Sequence, residues 1–188
     1  PWIIGAVVDG VGFRADAAAF LGTVELTLMG LTMLVIAPLV PKLKRARVVA
    51  IALPATIAAQ VVCAFLHEYY LFMGVRAVSG VAFGSLFTVA TAEGADADEP
   101  ERAFAAASVI TMCCGVVKSP LLGYSKQLFG YHGVFLALAV YYVLIGVPFL
   151  WLLVVEPAPR RGARSHGAAG TGAHVSLIAA AAVLMVMG

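Results

Sequence analysis

Hydrophobic and polar residues along this chain are arranged in long blocks, not in the short periods of amphipathic helices or half-buried strands. Residues 1–11 are apolar but too short to cross a bilayer alone, and they read as the end of a truncated first helix. A polar break at Arg14 and Asp16 leads into a second apolar run over about 17–40, closed by Lys42, Lys44, Arg45 and Arg47. A third run covers about 48–66 and ends at His67 and Glu68, and a fourth covers about 69–92. Residues 93–102 carry Glu93, Asp96, Asp98, Glu99, Glu101 and Arg102, and are expected to form an aqueous loop. Further apolar runs follow over about 103–124 and 131–155.

A helix rising 1.5 Å per residue needs about 20 residues to cross about 30 Å of hydrocarbon, so these runs predict an all-α membrane protein with spans in series. Residues 1–155 are then one transmembrane bundle. Residues 156–174, rich in Gly, Ala, Arg and Ser, have linker composition, and residues 175–188 begin another apolar run. The chain opens on Pro1 without Met or a basic leader and stops inside an apolar run, so both ends read as cut from a longer protein.

Composition agrees with the block pattern. Hydrophobic residues make up 62%, charged residues 12%, and mean hydropathy is +1.00, which excludes an ordinary water-soluble domain. A net charge of +2 spread over short segments gives no surface for a nucleic acid. Cys63, Cys113 and Cys114 lie inside apolar runs, where they act as small packing residues and imply no disulfide framework.

The distribution of cations sets an expected orientation. Lys42, Lys44, Arg45, Arg47, Arg102, Arg160, Arg161 and Arg164 lie on one side and Arg14 and Lys126 on the other, eight against two. The side holding segments 41–47 and 156–174 is therefore expected to be cytoplasmic in a multi-pass protein of the cell membrane. Tyr69, Tyr70 and Tyr131 then fall at the outer interface.

Charges inside spans are expensive and point to paired or water-facing sites. Glu25, Arg76 and Lys118 are such charges, each about six to eight residues from the outer end of its span, hence at a common depth of roughly 10–12 Å. Asp9, late in the first run, would balance the group. A shared polar site is the functional expectation, and a structural Glu25–Arg76 pair with Lys118 reaching toward the interface is the plainer one.

Small residues also recur at helical spacing. Gly80 and Gly84 follow Arg76 along one face, and Gly115, Ser119 and Gly123 line another, beside Pro120, suiting close helix packing and bending. His67, His132, His166 and His174 lack ligand spacing, and no phosphate-binding Gly-rich loop is present. No cofactor, no metal and no enzymatic activity are expected.

Taken together, these segments resemble the major facilitator superfamily. Residues Ala37 to Arg47 are similar to its first cytoplasmic loop motif, with Leu39, Lys42, Arg45 and Arg47 in place, but with Pro41 where the family has Asp and Lys44 where it has Gly. Arg76 with Gly80 and Gly84 resembles the family's Arg-x-x-x-Gly element of proton coupling. Gly115 to Tyr124, including Ser119, Pro120 and Gly123, resembles its fifth-span antiporter motif, with Ser119 and Tyr124 replacing glycines. Gly130 to Phe135 matches the start of its sixth span loosely.

The resemblance implies a six-helix transmembrane bundle of major facilitator type, followed by a cytoplasmic linker and a missing C-terminal half. It also implies a secondary active transporter of a small organic solute, working by alternating access in the lipid bilayer and coupled to protons. Glu25, Arg76, Lys118 and Asp9 would then lie on the substrate or proton pathway, and Lys42, Arg45 and Arg47 would gate the cytoplasmic side. The alternative is a membrane sensor or assembly subunit on the same helices, without transport.

Overall fold

The computed structural model describes residues 2–96 and 99–155, and every regular element among them is helical. They are α1 (Trp2–Val11), α2 (Ala15–Ile36), α3 (Arg45–Phe65), α4 (Tyr69–Ala95) and α5 (Pro100–Val155), with a 3-10 turn over Ala37–Lys42 after α2. Among the described residues four helices, α2 to α5, are long and apolar enough to cross a membrane. The linker 156–174 and the run 175–188 lie outside the described residues.

Glycine marks two of the reversals. Gly12, with φ +79°, turns the chain between α1 and α2. Gly130, at φ 64° and ψ −147°, interrupts α5 in a conformation that side chains with a Cβ avoid, and so divides it into limbs of residues 100–129 and 131–155. The limbs fold back on each other: a Cβ at Gly133 would meet Phe129 Cβ at 2.8 Å, and farther along Lys118 lies over Tyr141.

Helix directions follow from which residues meet. Gly80 lies against Glu25 and Gly84 against Met29, so α2 and α4 run parallel and in close contact. Arg76 meets Gln60 while Arg45 meets Glu93, so α3 and α4 run antiparallel. Phe72 packs edge-on against Phe135 at 5.8 Å and Phe83 against Tyr142 at 5.5 Å, which seats residues 131–155 along α4. Tyr131 Oη donates to the Leu66 carbonyl at 3.1 Å, and His132 Nδ1 meets the carbonyl of Ala64, tying this limb to the end of α3.

The buried core joins Val7, Leu21, Cys63, Phe72, Leu122, Val134, Phe135 and Leu138, with a second cluster around Val49, Leu53, Leu86 and Val89. Large apolar side chains such as Leu34, Ile51, Val116 and Leu144 are exposed, an outward surface suited to lipid or a further helix layer.

The expected aqueous loop at 93–102 is shorter than its charges suggest. Glu93 and Gly94 are still in α4 and buried, while Glu101 and Arg102 already belong to α5, which starts at Pro100. Pairing with Arg45 keeps Glu93 helical and buried where an isolated carboxylate would leave for water.

Candidate functional site: a buried ion pair between α2 and α4

Arg76 is only 2% exposed, and most of the contacts around it offset the cost of burying a guanidinium. Its Nη1 donates to both Glu25 oxygens, at 3.2 Å to Oε1 and 3.1 Å to Oε2, and Nη2 donates to Gln60 Oε1 at 3.2 Å. Ser79 Oγ donates to Glu25 Oε1 at 2.9 Å, so the carboxylate is held from two positions on α4. The guanidinium carbon lies 5.5 Å from the Phe72 ring centroid and 5.1 Å from that of Phe135, a cation–π box. Arg76 Nε and Thr56 Oγ1 are buried without a hydrogen-bond partner among the described residues.

Local helix geometry builds this site. Phe72, Arg76 and Ser79 follow at i, i+4 and i+7 and therefore share one face of α4. Gly80, next on that face, lets the α2 backbone approach at Glu25, and Gly84 does the same at Met29 and Thr32. The side chain of Glu25 keeps 16% exposure, so the pair is buried on its cationic side and reachable on its anionic side.

The expected group of four charges separates into three places. Glu25 and Arg76 meet, as their depths allow. Asp9 does not join them: its carboxylate binds Lys126 Nζ at 2.6 Å, near the end of the first α5 limb, because α1 packs on α5. Lys118 makes no ion pair among the described residues; its Nζ lies 5.9 Å from the Tyr141 ring centroid, and the residue is 9% exposed. Gln60, Ser79, Phe72 and Phe135 are absent from the sequence expectations, since a search for ionisable residues passes over them. The i+3 and i+4 spacing of Ser79 and Phe72 about Arg76 was the available signal.

A second ionic cluster sits at the end carrying the basic segment. Arg45 Nη1 lies 2.9 Å from Glu93 Oε1, and Nη2 lies 2.5 Å from Asp96 Oδ2, so one guanidinium clamps the start of α3 to the end of α4. Lys42 and Arg47 are exposed and form no ion pair among the described residues. Along the small-residue face of α5, a Cβ at Gly115 would meet nothing within 4 Å, Ser119 and Pro120 are exposed, and Gly123 is half-buried. Among the described residues no cluster of His, Cys, Asp and Glu is suited to a metal ion.

No curated protein and no solved structure matches the chain significantly. The family model described as Major Facilitator Superfamily does match, over residues 2–187, nearly the whole sequence. A membrane-length helical bundle with a buried ion pair, joined to a match of that extent, places this chain in the major facilitator superfamily of membrane transporters.

Proposed function

We propose that this chain is the N-terminal half of a secondary active transporter that moves a small organic solute across the cell membrane by alternating access, coupled to protons. In this reading residues 1–155 form a six-helix half with a truncated first helix, the break at Gly130 separating its fifth and sixth spans. Residues 156–174 are a cytoplasmic linker and 175–188 open the second half. Segment 41–47 faces the cytoplasm by the Lys and Arg bias. Substrate sits between the halves near the midplane, where such folds place it.

The carrying observation is the Glu25–Arg76 pair, because it links two parallel helices through a group that a proton can neutralise. Arg76 Nη1 donates to both Glu25 oxygens, and Ser79 Oγ adds a donor to Oε1. A proton reaching the exposed edge of Glu25 removes the charge that Arg76 attracts, and α2 loses its ionic tie to α4. Arg76 stays fixed by Gln60 and two rings, so the change falls on Glu25 and its helix. At the cytoplasmic end, the Arg45 clamp on Glu93 and Asp96 holds α3 against α4, with Lys42 and Arg47 free to meet the opposite half.

The test is solute-dependent proton movement in vesicles containing the full-length protein, wild type against Glu25→Gln. Flux that disappears in the variant supports the coupled reading; flux with an unchanged pH profile removes Glu25 from the proton path. Pro41 and Lys44, standing where the family has Asp and Gly, favour a second reading as a non-transporting sensor or assembly subunit. Absence of flux for every solute would leave that second reading.

A further inference from the structure

The ten carboxylates of the chain are Asp9, Asp16, Glu25, Glu68, Glu93, Asp96, Asp98, Glu99, Glu101 and Glu156. Asp9 and Glu25 lie within the apolar runs and Glu93 is buried near the end of α4, and each is committed to another cation, Lys126, Arg76 and Arg45 respectively. Lys118, by contrast, is nine-tenths buried on the first limb of α5, and no carboxylate among the described residues reaches it. Among the described residues its ammonium lies over the face of Tyr141, with the ring centroid 5.9 Å from Nζ, and Cys114 is close by on the preceding turn.

A ring face attracts an ammonium but does not neutralise it. An ammonium held away from water calls for an anion, and the spans of this chain have none to spare. Flanking side chains fit an anion that arrives from outside: Leu122 one turn later is apolar and buried, and no carboxylate among the described residues pairs with Lys118.

We infer that Lys118, seated over Tyr141, is the anion-binding element of the substrate site, and that the transported solute is a small organic anion carrying a carboxylate. This rests on the transporter reading for its setting, though not for its chemistry. Lys118 supplies the charge, the Tyr141 ring fixes the direction of the ammonium, and the solute's carboxylate completes the pair in a low-dielectric setting where the attraction is large.

The experiment uses the full-length protein and matched probes that differ only in charge: benzoate with benzamide, and acetate with acetamide. Binding is measured by equilibrium dialysis in detergent and flux separately in vesicles. Wild type is expected to bind a carboxylate about ten-fold tighter than its amide. Lys118→Met should bring that ratio close to one, and Lys118→Arg should restore part of it. A merely structural lysine would move stability without moving the ratio, so thermal midpoints are measured alongside; Lys118→Met is expected to match or exceed wild type, since an unpaired buried charge is removed. A carboxylate preference that survives Lys118→Met, or a wild type that prefers neither probe of each pair, overturns the inference. Carboxylate binding that depends on Lys118 without any flux keeps the anion site and overturns transport; amide flux without carboxylate preference does the reverse.

Discussion

Gly84 of α4 faces the backbone carbonyl of Met29 on α2 so closely that a Cβ built on the glycine would lie 2.5 Å from that oxygen and 2.8 Å from Thr32 Cβ. Gly80, one turn earlier, meets the carbonyl of Glu25 in the same way. The obstacle at both positions is backbone, which cannot swing aside. Gly80→Ala and Gly84→Ala are each expected to cost about 1–3 kcal/mol, read as lower thermal midpoints of the protein in detergent. Gly22→Ala, where nothing lies within 4 Å, serves as the neutral comparison. Equal stability of all three variants would refute close approach of α2 and α4.

Breaking the Glu25–Arg76 pair should show coupling in a double-mutant cycle. Arg76→Met alone leaves Glu25 without its cation, and Glu25→Ala alone leaves a buried guanidinium with only Gln60 as an acceptor. The double variant is expected to be more stable than the two losses predict, by about 1–3 kcal/mol. Strict additivity in unfolding measurements would mean that the two charges do not meet.

Among the described residues, Arg45 alone of the three basic residues expected to gate the loop has a pair of acidic partners. Arg45→Ala strands Glu93, whose side chain is 4% exposed, and is expected to cost about 2–4 kcal/mol in stability. Arg45→Lys should recover less than half of this, because one ammonium cannot present two separate nitrogens to Glu93 and Asp96. Lys42→Ala and Arg47→Ala are expected within about 0.5 kcal/mol of wild type. A rank order in which Lys42 or Arg47 matters most would contradict the clamp.

Gly130 holds the bend between the two limbs of α5 at a positive φ, and Gly130→Ala is expected to lose about 1–3 kcal/mol or to shift the bend. Gly115→Ala, in helical backbone with open space around it, should leave stability unchanged or slightly raised. Thermal unfolding of the two variants side by side decides this, and a harmless Gly130→Ala would rule out a fixed turn there.

Much of this protein is set by its order of apolar and polar blocks alone. A run of about 20 apolar residues allows little besides a helix in lipid, because every backbone group must be bonded within the segment. The helices therefore fall where the blocks do, including the break near Gly130 between two apolar runs. Fixed helical rise also places Glu25 and Arg76 at a common depth before any packing is known.

Rise says nothing about azimuth, and that is what tertiary structure decided. Glu25, Arg76 and Lys118 have compatible depths, so the sequence allows Glu25 either cation as its partner, while Asp9 lies close to the end of α1. Rotation of each helix about its axis selects among them, and packing fixes that rotation: Gly80 and Gly84 turn the Arg76 face of α4 toward Glu25. Contact of α1 with α5 gives Asp9 to Lys126, and the fold-back at Gly130 sets Lys118 over Tyr141. The same contacts recruit Gln60 and Ser79, neutral residues whose part depends wholly on which helix faces them. Depth is a property of one helix and is written in its sequence; partnership belongs to two helices and exists only once they pack.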